Sequence, residues 1–436
     1  MTSLPPGWRI TVHGRIAAIG RDDWELCRLA TGNTRTIKML ARSDDSRAPR
    51  LDLPDEQDDS PPEPLDSTHP LVDSLPQEDP DNPFISYDFL SALEVSGCVG
   101  AAAGWQPAHH ALRDAEGHIL AVVPAYVKSH SQGEYVFDHG WADAFMRAGG
   151  QYYPKLQIAV PFTPVTGPRL LIAAQTDRPA IVDALVAGLE ATRTRLGASS
   201  IHATFLTNRD CGDLTERGYL LRQDRQFHWF NTGYGTFEDF LAALSARKRK
   251  MIRRERKDAL AAGLTIRWLT SSDISEADWD AFYTFYIDTG SRKWGRPYLT
   301  RAFFSILGAT MADRILLVFA ERDGSPIAGA INFIGATTLF GRNWGAIEQH
   351  PFLHFELCYY QAMDFAIARR LATVEAGAQG EHKLLRGYRP VITRSAHSIA
   401  HEGLRRAVTD YLDHERAQVI SEAIDLNGWV PFRKGG

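Results

Sequence analysis

The densest set of reactive side chains lies in Gly377-Ala-Gln-Gly-Glu-His-Lys-Leu-Leu-Arg-Gly-Tyr388. An acid (Glu381), an imidazole (His382) and two cations (Lys383, Arg386) fall between glycines that permit close backbone approach. His382 suits general-base work near neutral pH. Lys383 or Arg386 suits a phosphate or a developing oxyanion. A second grouping, His354-Phe-Glu-Leu-Cys-Tyr-Tyr360, opens a long apolar helical pattern. Glu356 there reads in two ways, as a capping acid favoured by the helix dipole or as a buried acid or base of raised pKa. Cys358, inside the helix, reads as core. A third pair of segments, Lys128 to Asp138 and Pro161 to Arg169, mixes Ser, His, Glu and Arg with Gly and Pro. It suits either a polar ligand or plain turn chemistry.

Other chemistries lose support. His397 and His401, and His350 and His354, have helical metal-ligand spacing, but Pro351 interrupts the second pair and no His-Glu-x-x-His exists. No metal is expected. Phosphate-loop, dinucleotide and nucleophile-elbow motifs are missing, which disfavours kinase, dehydrogenase and serine-hydrolase readings. The four cysteines are scattered and form no zinc or redox spacing. No signal peptide or membrane span is read at the start of the chain or elsewhere, so a cytoplasmic protein is expected.

The elements that must position these groups alternate between strand and helix. The patterns predict a helix over 87–95, strands near 108–112 and 119–127, a strand at 155–159, a helix at 179–196, and strands at 200–205 and 227–231. The second half predicts a strand at 265–269, helices at 276–289 and 300–311, strands at 315–321, 327–334 and 338–343, a helix at 354–371, a strand at 373–376 and a last helix at 401–423. The order repeats, so two similar α+β domains are expected, 1–225 and 226–436, with mixed sheets flanked by helices.

Charge is uneven across the 436 residues, whose formal net charge is −5. Residues 41–81 hold 13 acids, three bases and eight of the 23 prolines. Such a segment buries too little apolar surface to offset ordering entropy, so a disordered acidic insertion is expected. The rest of the chain then carries about +5, of which Arg247 to Lys257, RKRKMIRRERK, contributes +7. This run lies in a helical pattern from Thr236, a plausible N-cap, to Gly263. Its projection puts Arg249, Arg253 and Arg256 on a basic face, and Lys248 and Glu255 on the apolar side, where partners are expected. The basic face is either a solvated helix surface or a cradle for a polyanion such as tRNA.

The segments NPFISYDFLSALE (82–94), GWQPAHH (104–110), KSHSQGEYVFD (128–138), YYPKLQIAVPFTPVTGPRLL (152–171), HFELCYYQAMDFAI (354–367) and GAQGEHKLLRGYRPVITRSAH (377–397) resemble the bacterial FemAB-like N-acyltransferases. The resemblance covers most of 82–416. It implies two tandem GNAT-like acyltransferase domains, with the site in the second or between the two. It also implies acyl-CoA or aminoacyl-tRNA as co-substrate, with no tightly bound cofactor, and an amine acceptor that is a small molecule or a cell-wall precursor. The Q/R-x-x-G-x-G/A pyrophosphate loop of ordinary acetyl-CoA enzymes is absent from WGAIEQHPFLH (344–354).

The expectation is therefore an N-acyltransferase in which an amine attacks an activated carbonyl directly. His382 or Glu356 takes the proton and Lys383 stabilises the oxyanion. Glu381, Arg386, Trp344, Arg292, Trp294 and Tyr298 line the substrate cleft, and Arg249, Arg253 and Arg256 hold donor phosphates. The rival expectation is a non-catalytic RNA- or polyanion-binding protein that uses the basic helix 247–257.

Overall fold

A computed structural model describes residues 4–40, 78–173, 177–293, 297–377 and 380–433. The expected disordered insertion lies outside these residues, apart from its end. There Asp79 is buried and its carboxylate accepts backbone N–H bonds from Ala336, Thr337 and Thr338 at 2.8–3.0 Å. Asp81 bonds Arg28 at 2.6 Å and also pairs with Arg314. The expectation of disorder up to residue 81 is thus corrected at 78–81, where carboxylates find backbone donors and guanidinium partners.

The strands are β1 (Arg9–His13), β2 (Trp105–Pro107), β3 (His109–Arg113), β4 (Ile119–Val123), β5 (Ala125–Lys128), β6 (Lys155–Ile158), β7 (Leu171–Ile172), β8 (Ser200–Ala203), β9 (Leu220–Phe230), β10 (Thr265–Thr270), β11 (Ile315–Arg322), β12 (Ser325–Ile334), β13 (Thr338–Ala346), β14 (Thr373–Glu375) and β15 (Arg389–Ile399). The helices are α1 (Arg21–Leu40), α2 (Tyr87–Val95), α3 (His139–Arg147), α4 (Arg178–Arg195), α5 (Asn208–Thr215), α6 (Phe237–Ala243), α7 (Ala246–Ala259), α8 (Glu276–Lys293), α9 (Arg301–Thr310), α10 (Leu353–Phe355), α11 (Gln361–Ala368) and α12 (Glu402–Gly428). A π-turn, Glu356–Tyr360, joins α10 to α11, and a 3-10 turn, Glu381–Arg386, precedes β15. No helix among the described residues is long and apolar enough to cross a membrane.

The α+β class with mixed sheets and flanking helices is as expected. A four-stranded sheet runs β1-β3-β4-β7, and an eleven-stranded sheet runs β10-β11-β12-β13-β14-β9-β15-β8-β6-β5-β2. The large sheet reads nearly alike outward from its centre. β13 and β14 are parallel, as are β6 and β8, while every pair between β14 and β8 is antiparallel. Each half thus lends its late strand to the other: β9 lies between β14 and β15, and β15 lies between β9 and β8. The boundary expected between 225 and 226 falls inside β9. β15 is not among the expected strands, because RPVITRSAHSI carries Pro at its second position and polar residues on both faces.

Local sequence explains most other elements. Thr236 caps α6 in a reciprocal capping box with Asp239. The single helix expected from Thr236 to Gly263 is broken at Leu244 and Ser245, where the Ser245 N–H donates to Pro431 O at 2.9 Å. Asp323 and Gly324, both of positive φ, form the tight turn between β11 and β12. β11 is buried over six consecutive residues, Ile315–Ala320, as its unbroken apolar run requires.

Polar groups are buried at the seam of the halves. His202 and His397 are cross-strand partners with Nδ1 atoms 2.7 Å apart, and each Nε2 meets a serine two residues before it, Ser200 and Ser395. Beside them Lys155 donates to Asp138 at 2.5 Å and to Glu134 and Ser131 at 2.7 Å. The loop 128–138 therefore spends most of its charges internally.

Burial lowers the pKa of His202 and His228 to about 3 and of His110 to about 4, and it pulls His397 well down. The folded state therefore holds fewer protons than the unfolded chain below the ordinary histidine value. Their contribution to stability is complete above about pH 6.5 and is lost as pH falls toward 3. Urea titrations between pH 7.5 and 4 are expected to show falling stability, with up to about 1.4 kcal/mol per pH unit from each titrating histidine. A pH-independent midpoint over that range would contradict this burial.

Candidate active site

The site forms where two strands part. β13 pairs with β14 over only three residues, Thr338–Phe340 against Thr373–Glu375. On its other side β13 carries a bulge: Ala330 pairs with Trp344 and Asn332 with Gly341, so Ile331 faces both Arg342 and Asn343. A bulge interrupts the ladder and re-aims side chains. Between the diverging strands lies a pocket of about 60 Å³ lined by Asn332, Arg342, Trp344, His354, Cys358 and Tyr359 among others. Gly345 is needed beneath it, because a Cβ there would lie 2.0 Å from Phe285 O of α8.

The 3-10 turn Glu381–Arg386 sets His382 and Lys383 against two residues that line this pocket, Tyr359 and Ala376. His382 Nε2 lies 2.9 Å from the hydroxyl of Tyr359. Partial burial, then the nearby Arg386 and Lys383 charges, lower its pKa. Lys383 is 1% exposed, and Nζ donates to Ala376 O at 2.6 Å and Gly377 O at 3.0 Å. Burial pulls its pKa down to about 8, with Glu375 opposing. Arg342 bonds Glu375 at 2.6 Å. Arg342 Nε and Asn332 Oδ1 are buried at the pocket with no hydrogen-bond partner, so they are available to a ligand.

α7 clamps this machinery through adjacent residues. Glu255, buried on the apolar side as its projection predicts, accepts from Arg386 Nη2 at 2.7 Å and Nε at 3.1 Å, and from the hydroxyl of Tyr360. Arg386 also donates to His382 O at 2.8 Å and stacks 3.5 Å above the Phe355 ring. Next to Glu255, Arg256 donates to Glu356 at 2.9 Å and Asp364 at 2.7 Å. One helix thus holds both the turn that carries His382 and Lys383 and the π-turn that carries Tyr359.

The expected residues divide accordingly. Trp344 lines the pocket, packed 4.6 Å from His354, while His382 and Lys383 stand beside it, in contact with the lining residues Tyr359 and Ala376. Glu356 is fully buried, but it faces Arg256 and Gln361 rather than the pocket; burial raises its pKa against the pull of Arg256. Arg386 is committed to Glu255. Tyr298 stacks on Phe162 at 4.8 Å, beside a narrow aromatic recess that shares Ile331, Arg342 and Asn343 with the pocket. Arg249 reaches Leu244 O and Arg253 pairs with Glu238, so the three arginines nominated on α7 all have protein partners. Arg247, Lys250 and Lys257 are exposed on that helix. Lys248 is half-buried with no acidic partner among the described residues. The side chains of Glu381, Arg292 and Trp294 lie outside the described residues. Asn332, Arg342, Tyr359 and Glu375 were not anticipated. The glycines of GRNWG (341–345) were the available signal for the bulge, and nothing local marked Glu375.

The profile of the FemAB-like family, described as peptidoglycan biosynthesis and recognition, matches residues 70–434. No curated protein matches the chain. Among solved structures, FemX is 10% identical with a TM-score of 0.47, covering 76% of this chain and 96% of that one. A tandem GNAT protein from the clavulanic acid biosynthesis pathway is 10% identical with a TM-score of 0.43, over 90% of this chain and 99% of that one. L-PGS from Bacillus licheniformis is 10% identical with a TM-score of 0.44, over 74% and 95%.

Removing one partner of the Glu255–Arg386 pair strands a buried charge. Arg386→Met is expected to cost about 3–5 kcal/mol in urea unfolding. The double variant Glu255→Met/Arg386→Met should cost clearly less than the sum of the single ones. Additive costs would show that the pair does not couple α7 to the turn.

Proposed function

We propose, for a chain that belongs to the FemAB-like family of peptidoglycan biosynthesis and recognition and is an acyltransferase, that it makes an amide by transferring an acyl or aminoacyl group directly to an amine. The observation that carries this reading is the pairing of His382 and Lys383 on one turn beside the pocket where β13 and β14 separate. The amine nitrogen attacks the activated carbonyl carbon. His382, bonded to Tyr359, takes the amine proton. Two of the three N–H groups of Lys383 are held by Ala376 O and Gly377 O. The third remains for the oxygen that gains charge in the tetrahedral intermediate. Collapse of the intermediate expels the donor's alcohol or thiol, which recovers the proton.

The base assignment falls to His382 over Glu356, because Glu356 is bound by Arg256 and faces away from the pocket. Trp344 and Tyr298 line the approach of the substrates. The donor is an aminoacyl-tRNA or an acyl-CoA, and its phosphates are held by the exposed cations of α7, Arg247, Lys250 and Lys257. The acceptor is a small-molecule or cell-wall-precursor amine.

Lys383→Met is expected to lower kcat about 10²–10³-fold, in the range of a lost oxyanion donor, and His382→Ala about 10²-fold or more. The rate should fall above about pH 8 as Lys383 loses its proton. The acid limb should lie below the ordinary histidine value, since the pKa of His382 is lowered and its neutral form is the active one. Full transfer rates in both variants would remove the assignment. For the donor, tRNA binding that weakens steeply with salt and no acyl-CoA affinity would select the aminoacyl route. Acyl-CoA binding without tRNA binding would select the other.

A further inference from the structure

The bulge of β12 against β13 leaves two polar atoms of opposite kind unpaired at the pocket. Asn332 is 1% exposed, and its amide nitrogen donates to Leu316 O at 3.4 Å. Only the nitrogen can serve that carbonyl, so the oxygen Oδ1 is the end left without a partner among the described residues. Arg342 is fixed at three points. Its Nη2 donates to Glu375 at 2.6 Å, its Nη1 donates to Gly341 O at 2.9 Å, and its guanidinium lies 4.6 Å from the centre of the Phe84 ring. The Nε–H is buried with no acceptor among the described residues. Gly341 keeps the space beside Asn332 Oδ1 open: a Cβ there would lie 3.2 Å from that oxygen, 3.5 Å from Glu375 O and 3.8 Å from Ala376 Cα. Asn332, Gly341 and Arg342 line the same pocket of about 60 Å³.

The geometry points to Asn332 Oδ1 and Arg342 Nε as the pair that selects the transferred acyl group, a short one whose uncharged substituent both donates and accepts a hydrogen bond, such as a hydroxyl or a carboxamide. The inference rests on the acyltransferase reading above. Ala330 and Trp344 of the pocket pack in the same core as Tyr359, Leu357 and Ile252 of α7. A donor held by the exposed cations of α7 lies on this face of the sheet, so its acyl end is the part that enters. An apolar substituent would leave both buried atoms unpaired, and each bears the full cost of its lost hydration. An ammonium would serve Oδ1, but it would meet the guanidinium charge and leave Nε–H without an acceptor. A carboxylate would serve Nε–H, but it would set lone pairs against Oδ1, and the charge of Arg342 is already matched by Glu375. A hydroxyl or carboxamide serves both atoms at once. The small volume of the pocket excludes a long chain.

The test titrates the full-length protein with stable butyl esters in place of a donor and follows binding by NMR. Butyl glycolate is paired with butyl propanoate, and butyl malonamate with butyl 3-methylbutanoate, so each polar probe has an apolar match of similar size. Glycine butyl ester and monobutyl malonate supply the ammonium and the carboxylate. The wild type is expected to bind at least one of the two neutral polar esters about tenfold tighter than its match, and tighter than either charged ester. Asn332→Leu should reduce that preference to about twofold or less, at an unchanged melting temperature. Equal binding within both pairs by the wild type overturns the proposal, whatever the variant does, and so does tighter binding of either charged ester. A preference undiminished in a folded Asn332→Leu protein overturns it too. Should that variant not fold, Gly341→Ala places a methyl in the space beside Oδ1 and is expected to weaken the preferred ester about tenfold; unchanged affinity there overturns the proposal. Because no transfer is measured, loss of the acyltransferase reading would show in the kinetics of the His382 and Lys383 variants and not here.

Discussion

The exchange of β9 and β15 is the constraint on which the rest of this molecule depends. Nine residue pairs join these strands, and each is also hydrogen-bonded to a strand of the other half. β14 is three residues long and would be a weak edge on its own. With β9 paired to its outer side, it keeps its place while β13 diverges from it. The neighbouring half thus anchors the far edge of β14, and the opening lies on its near edge, beyond Phe340 and Glu375.

The second organising feature is the way α7 uses its two faces. Its outward cations stand in solvent, while Glu255 and Arg256 reach inward to two different turns. A buried ion pair is weak evidence for stability, since desolvation offsets much of the attraction. Its geometry, however, is specific. A bidentate contact from Arg386 to Glu255, with Tyr360 as a further donor and Phe355 beneath the guanidinium, admits one arrangement of the 3-10 turn. Apolar residues of equal volume would hold the turn close without fixing where His382 and Lys383 sit. The pair thus serves position more than stability.

Much of this was legible in the sequence, where the signal was local. The helix over 87–95 matches to the residue, the capping box at Thr236 is present, and the helical projection of Glu255 onto the apolar side is borne out by its buried partners. The adjacency of His382 and Lys383 was visible because both lie on one glycine-flanked loop. What escaped was non-local. β15 lacks clean alternation because it is paired on both sides and covered by polar as well as apolar neighbours, such as the His202 opposite His397. The Arg342–Glu375 pair joins two strands 33 residues apart, and the π-turn has no sequence period of its own. The break between α6 and α7 arises because the C-terminal segment binds Leu244 and Ser245, and no window within the helix contains that information.

These constraints also bear on which cation beside the pocket suits the proposed chemistry. Arg342, Lys383 and Arg386 are all buried or nearly so, in one small region. The two arginines each meet a carboxylate, Glu375 and Glu255, and a guanidinium keeps its charge across the working range. They are fixed charges with fixed partners. Lys383 alone is held by neutral carbonyls, so its charge is not matched by a contacting acid, and burial brings its pKa to about 8. A group poised near neutrality responds to a negative charge that develops beside it, whereas a saturated ion pair does not. That difference, and not proximity alone, singles out the lysine among the three cations. It also gives Arg342 a reason to be there, since it holds Glu375, the acid whose charge acts to restore the basicity of Lys383.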